Sequence, residues 1–436
     1  MTDQALTSDA RTHRVLHGLR LIRRPAARRV GWVVVDQAAC SVTNFALTLI
    51  VARSASPTEF GEFGLAFLLA MLALTLVRAA VSVPLSLRVE VGPSQDPASR
   101  VPDLRDALGA SAVAGVALGL GLVVVGVALQ TGIGPSVLAL GLSLPALVLQ
   151  DAWRYAFIVV AKPSRAVAND LVMGALVIGG ALVLQGCSVP VLVLIWGASA
   201  LVACGVAIWQ SRVWPALARS RIFLRRHRDL SGWLTAELTV QTGSTYAAML
   251  LLGLTAGTVG LGSLRGAQTL FGPFTALLIG LLVGSVPEAR RVAAMEPRRL
   301  PPVLRAVSGV LGLATLALSV VLLALPDPVG KAILGDTWPG ARALLVPFAA
   351  MTAGVAVASG GMVGLRVGGA VRDSFRLRLV VGGMSVVVAP LAGAVGGLQA
   401  GAWGLAGAAW VNALGAWWLF RRRWSTADPY VREARA

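Results

Sequence analysis

The sequence predicts an all-α, polytopic membrane protein with about twelve transmembrane helices in two pseudo-symmetric six-helix lobes. Three observations carry that expectation. Of 436 residues, 56% are hydrophobic and only 13% charged, where a soluble domain carries about 25% charged residues, so much of the surface faces lipid. Apolar runs long enough to cross a bilayer, about 20 residues each, recur along the chain. The chain also repeats itself at an interval of 201 residues.

In order, the runs lie at roughly 31–52, 62–87, 107–129, 136–160, 167–186, 189–211, 231–254, 265–286, 303–325, 341–365, 377–397 and 400–420. They divide the chain into a basic cytoplasmic tail (1–30), an N-terminal lobe (31–211), a basic cytoplasmic linker (212–230), a C-terminal lobe (231–420) and a second cytoplasmic tail (421–436). In the first tail Val15, Leu16, Leu19 and Ile22 recur at helical spacing among arginines and stop before Pro25. A helix lying on an anionic leaflet has that pattern, and an unstructured basic tail fits the same composition.

Charge distribution sets the orientation. With the N-terminus inside, only Arg53, Arg265, Lys331 and Arg342 of the 38 Lys and Arg fall in outer segments, and only Arg78 and Arg154 fall within spans. Juxtamembrane cations stay cytoplasmic, so both termini are expected on the cytoplasmic side. The net charge of +18 then reflects topology and an anionic inner leaflet, not nucleic-acid binding.

A shift of 201 residues superposes Gly31-Trp32 on Gly232-Trp233, Asp36 on Glu237, Phe45 on Tyr246, Ala46 on Ala247 and Gly61 on Gly262. Because the shift spans six runs, both halves enter the membrane in the same sense. Transporters that rock one half against the other use this parallel repeat, with the substrate site between the halves.

Ionisable side chains in hydrocarbon cost about 2.5–3.5 kcal/mol on insertion scales and therefore mark functional candidates. Asp36 and Glu237, at equivalent repeat positions, are candidates for coupling or gating, since a buried carboxyl group can exchange a proton or bind a cation. Arg78, deep in the second run, offers a planar donor fork suited to a phosphate or carboxylate; an ion pair with Asp36 or Asp151 is the structural alternative. Asp151 and Arg154, spaced i, i+3, are expected to pair on one helix face. Arg154 is a further substrate-contact candidate and Asp151 a gating one, whereas Asp170, Arg165 and Arg265 are expected at the interface.

Several chemistries are excluded. Lys162 is followed by Pro and Lys331 by Ala, so no GxxxxGK[ST] phosphate loop is present. His13, His17 and His227 all lie in basic segments and form no metal motif, and Cys40, Cys187 and Cys204 sit in or beside apolar runs. No cofactor or metal is expected. The outer loops leave little room for a catalytic domain, which argues against an enzyme.

After the first run comes Ser54-Ala55-Ser56-Pro57-Thr58-Glu59-Phe60-Gly61-Glu62-Phe63-Gly64. Leu334-Gly335-Asp336-Thr337-Trp338-Pro339-Gly340-Ala341 precedes the tenth. Gln150-Asp151-Ala152-Trp153-Arg154-Tyr155, with Lys162-Pro163 and Asp170, marks the fourth-to-fifth junction. With these motifs, residues 30–420 resemble the multidrug/oligosaccharidyl-lipid/polysaccharide exporter superfamily, and within it the bacterial flippases of polysaccharide precursors. The resemblance implies a MATE-like fold that flips a polyprenyl-pyrophosphate-linked oligosaccharide through a cationic cavity between two lobes, beside glycosyltransferase or polymerase partners. A cation-coupled drug antiporter of the same fold, or a non-transporting scaffold of envelope-glycan assembly, are the alternatives.

Overall fold

The computed structural model describes residues 39–82, 101–129, 132–160, 162–226, 239–295, 297–368 and 370–427 apart from residue 185, together with 35, 36, 84, 85 and 236. The N-terminal surface helix expected around Val15–Ile22 and the candidate Glu237 lie outside these residues. Among the described residues the regular structure is entirely helical.

The first half comprises α1 (Ala39–Ser54), α2 (Pro57–Val77, continued by a π-helical turn Arg78–Ser82), α3 (Val101–Leu129), α4 (Gly134–Val159), α5 (Pro163–Val183) and α6 (Val189–Ser211). In the second half, Ser244–Met295 and Val371–Ala427 each contain one non-helical glycine, Gly257 (φ 75°) and Gly397 (φ 76°). Cross-contacts show that both reverse direction there, since Leu261 lies against Gly253 and the Ala389 backbone lies against Gly401 and Gly404. These stretches therefore make α7 (244–256) with α8 (258–295), and α11 (371–396) with α12 (398–427), around α9 (Leu300–Leu323) and α10 (Leu345–Val367). Only a residue without Cβ takes such a positive φ at little cost, and that allows each hairpin to turn on one residue.

Twelve helices thus stand where twelve spans were expected, and several starts come earlier than the apolar runs. The eighth helix starts at residue 258, not 265, because a single-glycine turn at Gly257 replaces the expected outer loop. The second helix starts at Pro57 because Ser56 caps it. Glu59 N–H donates to Ser56 Oγ and Ser56 N–H donates to Glu59 Oε2, a reciprocal capping box.

Packing separates lipid-facing from interior helices. Only 17% of the α3 span is buried against 72% of α4, with α3 side chains such as Leu120 and Val124 turned outward. α4 packs against α3, α5 and α6, and in the second half α10 packs against α9 and the α11–α12 hairpin. Polar residues on α4 therefore have protein on their other side, the condition for carrying charge at membrane depth.

The halves meet where α2 lies along α7 and α8. A Cβ on Gly61 would stand 1.7 Å from Thr258 O, and one on Gly262 would stand 2.9 Å from Pro57 O. The two contacts are the same one with the halves exchanged, since the 201-residue shift carries Pro57 to Thr258 and Gly61 to Gly262. The seam is thus reciprocal, as across a two-fold axis. It lies at the end of the bundle bearing the Gly257 and Gly397 turns. The segment before α10 closes over it, with Gly335 (φ 57°) set against the Ala52 carbonyl at the end of α1.

Candidate functional site

Two sets of buried polar groups stand out. The first joins α1, α2, α4 and α5 inside the first half. Arg78, opening the π-helical turn, holds Asp151 in a two-pronged pair, Nε to Oδ2 and Nη2 to Oδ1, both 2.7 Å. Arg154 Nη2 lies 2.7 Å from Asp36 Oδ2, its Nη1 3.3 Å from Asp151 Oδ1, and its Nε 2.8 Å from Asp170 Oδ2. The last contact is close enough for Coulomb attraction but is not aligned as a hydrogen bond. Gln150 Nε2 donates to Asp170 Oδ1 (2.7 Å) and to Asn169 Oδ1, Asn169 Nδ2 donates to the Ala203 carbonyl, and the Cys40 thiol donates to Asp170 Oδ2.

This network accounts for the spacing on α4. Asp151 and Arg154 project from adjacent turns and form the expected pair, yet each has a stronger partner on another helix, Arg78 and Asp36 respectively. With every group ionised, three carboxylates face two guanidiniums. Asp36 Oδ1 is buried without a hydrogen-bond partner. Arg78 is the most open member, with its side chain 30% exposed, and no described residue offers its Nη1 an acceptor.

Asp170 was expected at the interface and is instead 4% exposed. α5 begins at Pro163, so Asp170 lies about 10 Å along the helix at 1.5 Å per residue, turned toward Arg154. Arg165 does sit at the helix start, half-exposed, with Nη1 donating to the Gln210 carbonyl.

The second set lies on the seam between the halves and was missed by sequence reasoning. Arg265, also expected at the interface, is 6% exposed, about 12 Å along α8 from the Gly257 turn. Its Nη2 donates to Thr48 Oγ1 of α1 (2.8 Å) and its Nη1 to Gln268 Oε1 (3.0 Å). The guanidinium carbon stands 3.4 Å from the centre of the Phe67 ring, and Phe67 stacks on Trp196 at 5.9 Å. Arg265 forms no ion pair among the described residues, and Nε has no hydrogen-bond partner. Cation–π contact and two neutral hydrogen bonds offset part of its desolvation, and no carboxylate among the described residues neutralises it.

The repeat held the signal for Arg265. The 201-residue shift aligns it with Gly64, and Arg265 Cβ lies 3.3 Å from the position a Gly64 Cβ would take. One half thus supplies the space and the other the cation. No cluster of His, Cys, Asp and Glu among the described residues is arranged to hold a metal ion.

Two six-helix halves, a reciprocal glycine seam and buried charge beside it define a two-lobed polytopic helical membrane fold. Solved structures that share this fold include transporters of the MOP superfamily. An inward-facing multidrug resistance MATE family transporter of that superfamily matches with TM-score 0.69 over 93% of this chain and 100% of its own, at 12% identity. The lipid II flippase MurJ, in an inward closed conformation, matches with TM-score 0.66 over 90% of this chain and 89% of its own, at 11% identity. A MATE in complex with MaL6 matches with TM-score 0.61 over 93% and 96%, at 13% identity. No protein-family model matches the sequence, and neither does any curated protein.

Proposed function

We propose that this chain carries an anionic lipid-linked saccharide, of the polyprenyl-pyrophosphate class, from the inner to the outer leaflet of a bacterial cytoplasmic membrane by alternating access between its lobes. One observation carries the reading. Arg265 is a buried guanidinium on the seam with no carboxylate among the described residues to neutralise it. If the lobes part at the Gly257 end, Arg265 leaves Thr48 and Phe67 and turns its donor fork to the opened cavity. A diphosphate fills that fork with two parallel charge-assisted hydrogen bonds. An organic cation meets repulsion there.

Arg78 extends the path. Arg265 abuts Gly64 on α2, fourteen residues from Arg78 on the same helix, about 21 Å at 1.5 Å per residue. A headgroup entering near Arg78 and leaving near Arg265 would meet a cation at each stage, while its polyprenyl chain stays in lipid. Binding tests this directly. A fluorescent polyprenyl-pyrophosphate saccharide should bind the purified protein and be displaced by inorganic pyrophosphate but not by a lipophilic cation. Arg265→Met should weaken it at least tenfold, one charge-assisted pair being worth about 1.5–3 kcal/mol. Equal affinity in wild type and variant contradicts the assignment.

The surplus carboxylate favours a second reading of the first site. Three acids against two arginines leave one negative charge that a single proton balances, and Asp36 Oδ1 has no partner. In this role the network couples transport to proton entry, in a flippase or in a cation antiporter of the same fold. A pH gradient that drives transport in wild type and not in Asp36→Asn supports coupling; gradient-independent transport removes it.

A further inference from the structure

We infer that the first half carries a binding site for one anionic phospholipid at the end of the bundle opposite the Gly257 turn, apart from the proposed transport path. A cavity of about 240 Å³ opens there between the start of α3, the end of α4, the start of α5 and the end of α6. Val101, Leu104, Ala156, Phe157, Val160 and Val213 make its walls apolar, Lys162 and Arg165 stand at it, and none of its lining residues is acidic.

Three features select the ligand. Among the described residues, exposed Lys162 forms no ion pair and Arg165 is held only by Nη1 on the Gln210 carbonyl. Two cations separated by three residues across a helix start suit a phosphate. Trp153 also lines the cavity and, being fully buried, gives it apolar backing.

The surroundings decide between a lipid and a soluble phosphate. The segment after α6 lies over the start of α3, with Ala216 N–H donating to the Arg105 carbonyl and Arg105 Nε to the Trp214 carbonyl. Beside the cavity this segment leaves Trp214 66% and Leu217 56% exposed, and α6 leaves Trp209 73% exposed. Exposed tryptophans at the ends of membrane helices mark the headgroup level. An amphiphile with its phosphate on Lys162 and Arg165 and its first methylenes against Leu104 and Phe157 matches both the charge and the apolar walls. A free phosphate leaves those walls wet.

The test is native mass spectrometry of the full chain, purified in detergent and titrated with phosphatidylglycerol or phosphatidylcholine. Wild type should retain one phosphatidylglycerol most tightly. With each cation near the surface worth roughly fivefold, Lys162→Ala/Arg165→Ala should weaken that retention about 30-fold. Leu104→Trp, which fills the apolar slot without changing charge, should weaken it too, in protein with unchanged helicity and elution. Inorganic phosphate should not displace the lipid. Equal retention of the two lipids, equal retention by wild type and the double variant, or displacement by inorganic phosphate would each overturn the proposal.

Discussion

Gly64 and Arg265 occupy equivalent positions 201 residues apart, and they face each other across the seam with the arginine Cβ 3.3 Å from where a Gly64 Cβ would stand. The two halves are related by near-symmetry in backbone and broken symmetry in charge. A small residue on α2 lets the helices touch, and a large cation on α8 occupies the room it leaves, bonded across the seam to Thr48.

The glycine seam makes the first prediction. A Cβ on Gly61 would overlap Thr258 O, and overpacking of this kind costs typically 1–3 kcal/mol. Gly61→Val should therefore shift the lobes toward separation at the Gly257 end. In a Cys187→Ser background, a Thr258→Cys thiol should react with an impermeant maleimide about tenfold faster when Gly61→Val is present. An unchanged rate would mean that the seam does not report the opening.

Arg265 separates stability from function. Replacing a buried, unneutralised charge with an apolar side chain of similar length is often neutral or stabilising. Arg265→Met should thus unfold in detergent at the same or a higher temperature than wild type while losing anion binding. A variant that unfolds earlier in proportion to its lost binding would make Arg265 a structural residue.

The Arg78–Asp151 pair is predicted to be coupled. Asp151→Ala leaves Arg78 without its two-pronged partner and weakens the hold on Arg154. Removing one member of a buried pair costs about 3–5 kcal/mol. Arg78→Met/Asp151→Leu should recover a large part of that loss in denaturant unfolding, a non-additivity that a double-mutant cycle measures. Additive losses would show that the two side chains do not stabilise each other.

Outside the spans, Asp327 accepts from Trp338 Nε1 at 2.8 Å and pairs with Arg342. The indole hydrogen bond first, and the arginine second, hold its carboxyl below the usual range. A depressed folded pKa contributes stability above the unfolded value near 3.9, lost as pH falls through the lower folded value. A 5-fluorotryptophan label at Trp338 should therefore titrate only below about pH 3.9, and in Asp327→Asn the transition should vanish. A transition at or above that pH would mean that the contact does not favour the carboxylate.

Much of the architecture was legible because lipid imposes a long apolar run on every helix, and cation placement separates loops from spans. The Ser54–Gly64 motif proves physically dense, holding the capping box of α2, the stacked rings of Phe60 and Phe63, and the seam glycines Gly61 and Gly64. Less legible were the depths of Asp170 and Arg265. Both lie near helix starts that the runs placed too late, since polar residues at a boundary shorten the apparent run. The Arg154–Asp36 bridge joins residues 118 apart, and no local spacing encodes it; the i, i+3 pair on α4 disclosed only its weakest contact.

The most direct measurement is leaflet exchange. Liposomes containing the protein and a fluorescent polyprenyl-pyrophosphate saccharide would be quenched from outside by an impermeant reductant, and the protected fraction followed with wild type, Arg265→Met and Gly61→Val. The account predicts that wild type exposes the inner-leaflet label, that Arg265→Met slows exposure by about tenfold, and that a neutral lipid-linked saccharide is not moved. Exchange by wild type no faster than in empty liposomes, or equal exchange of charged and neutral lipids, would contradict it.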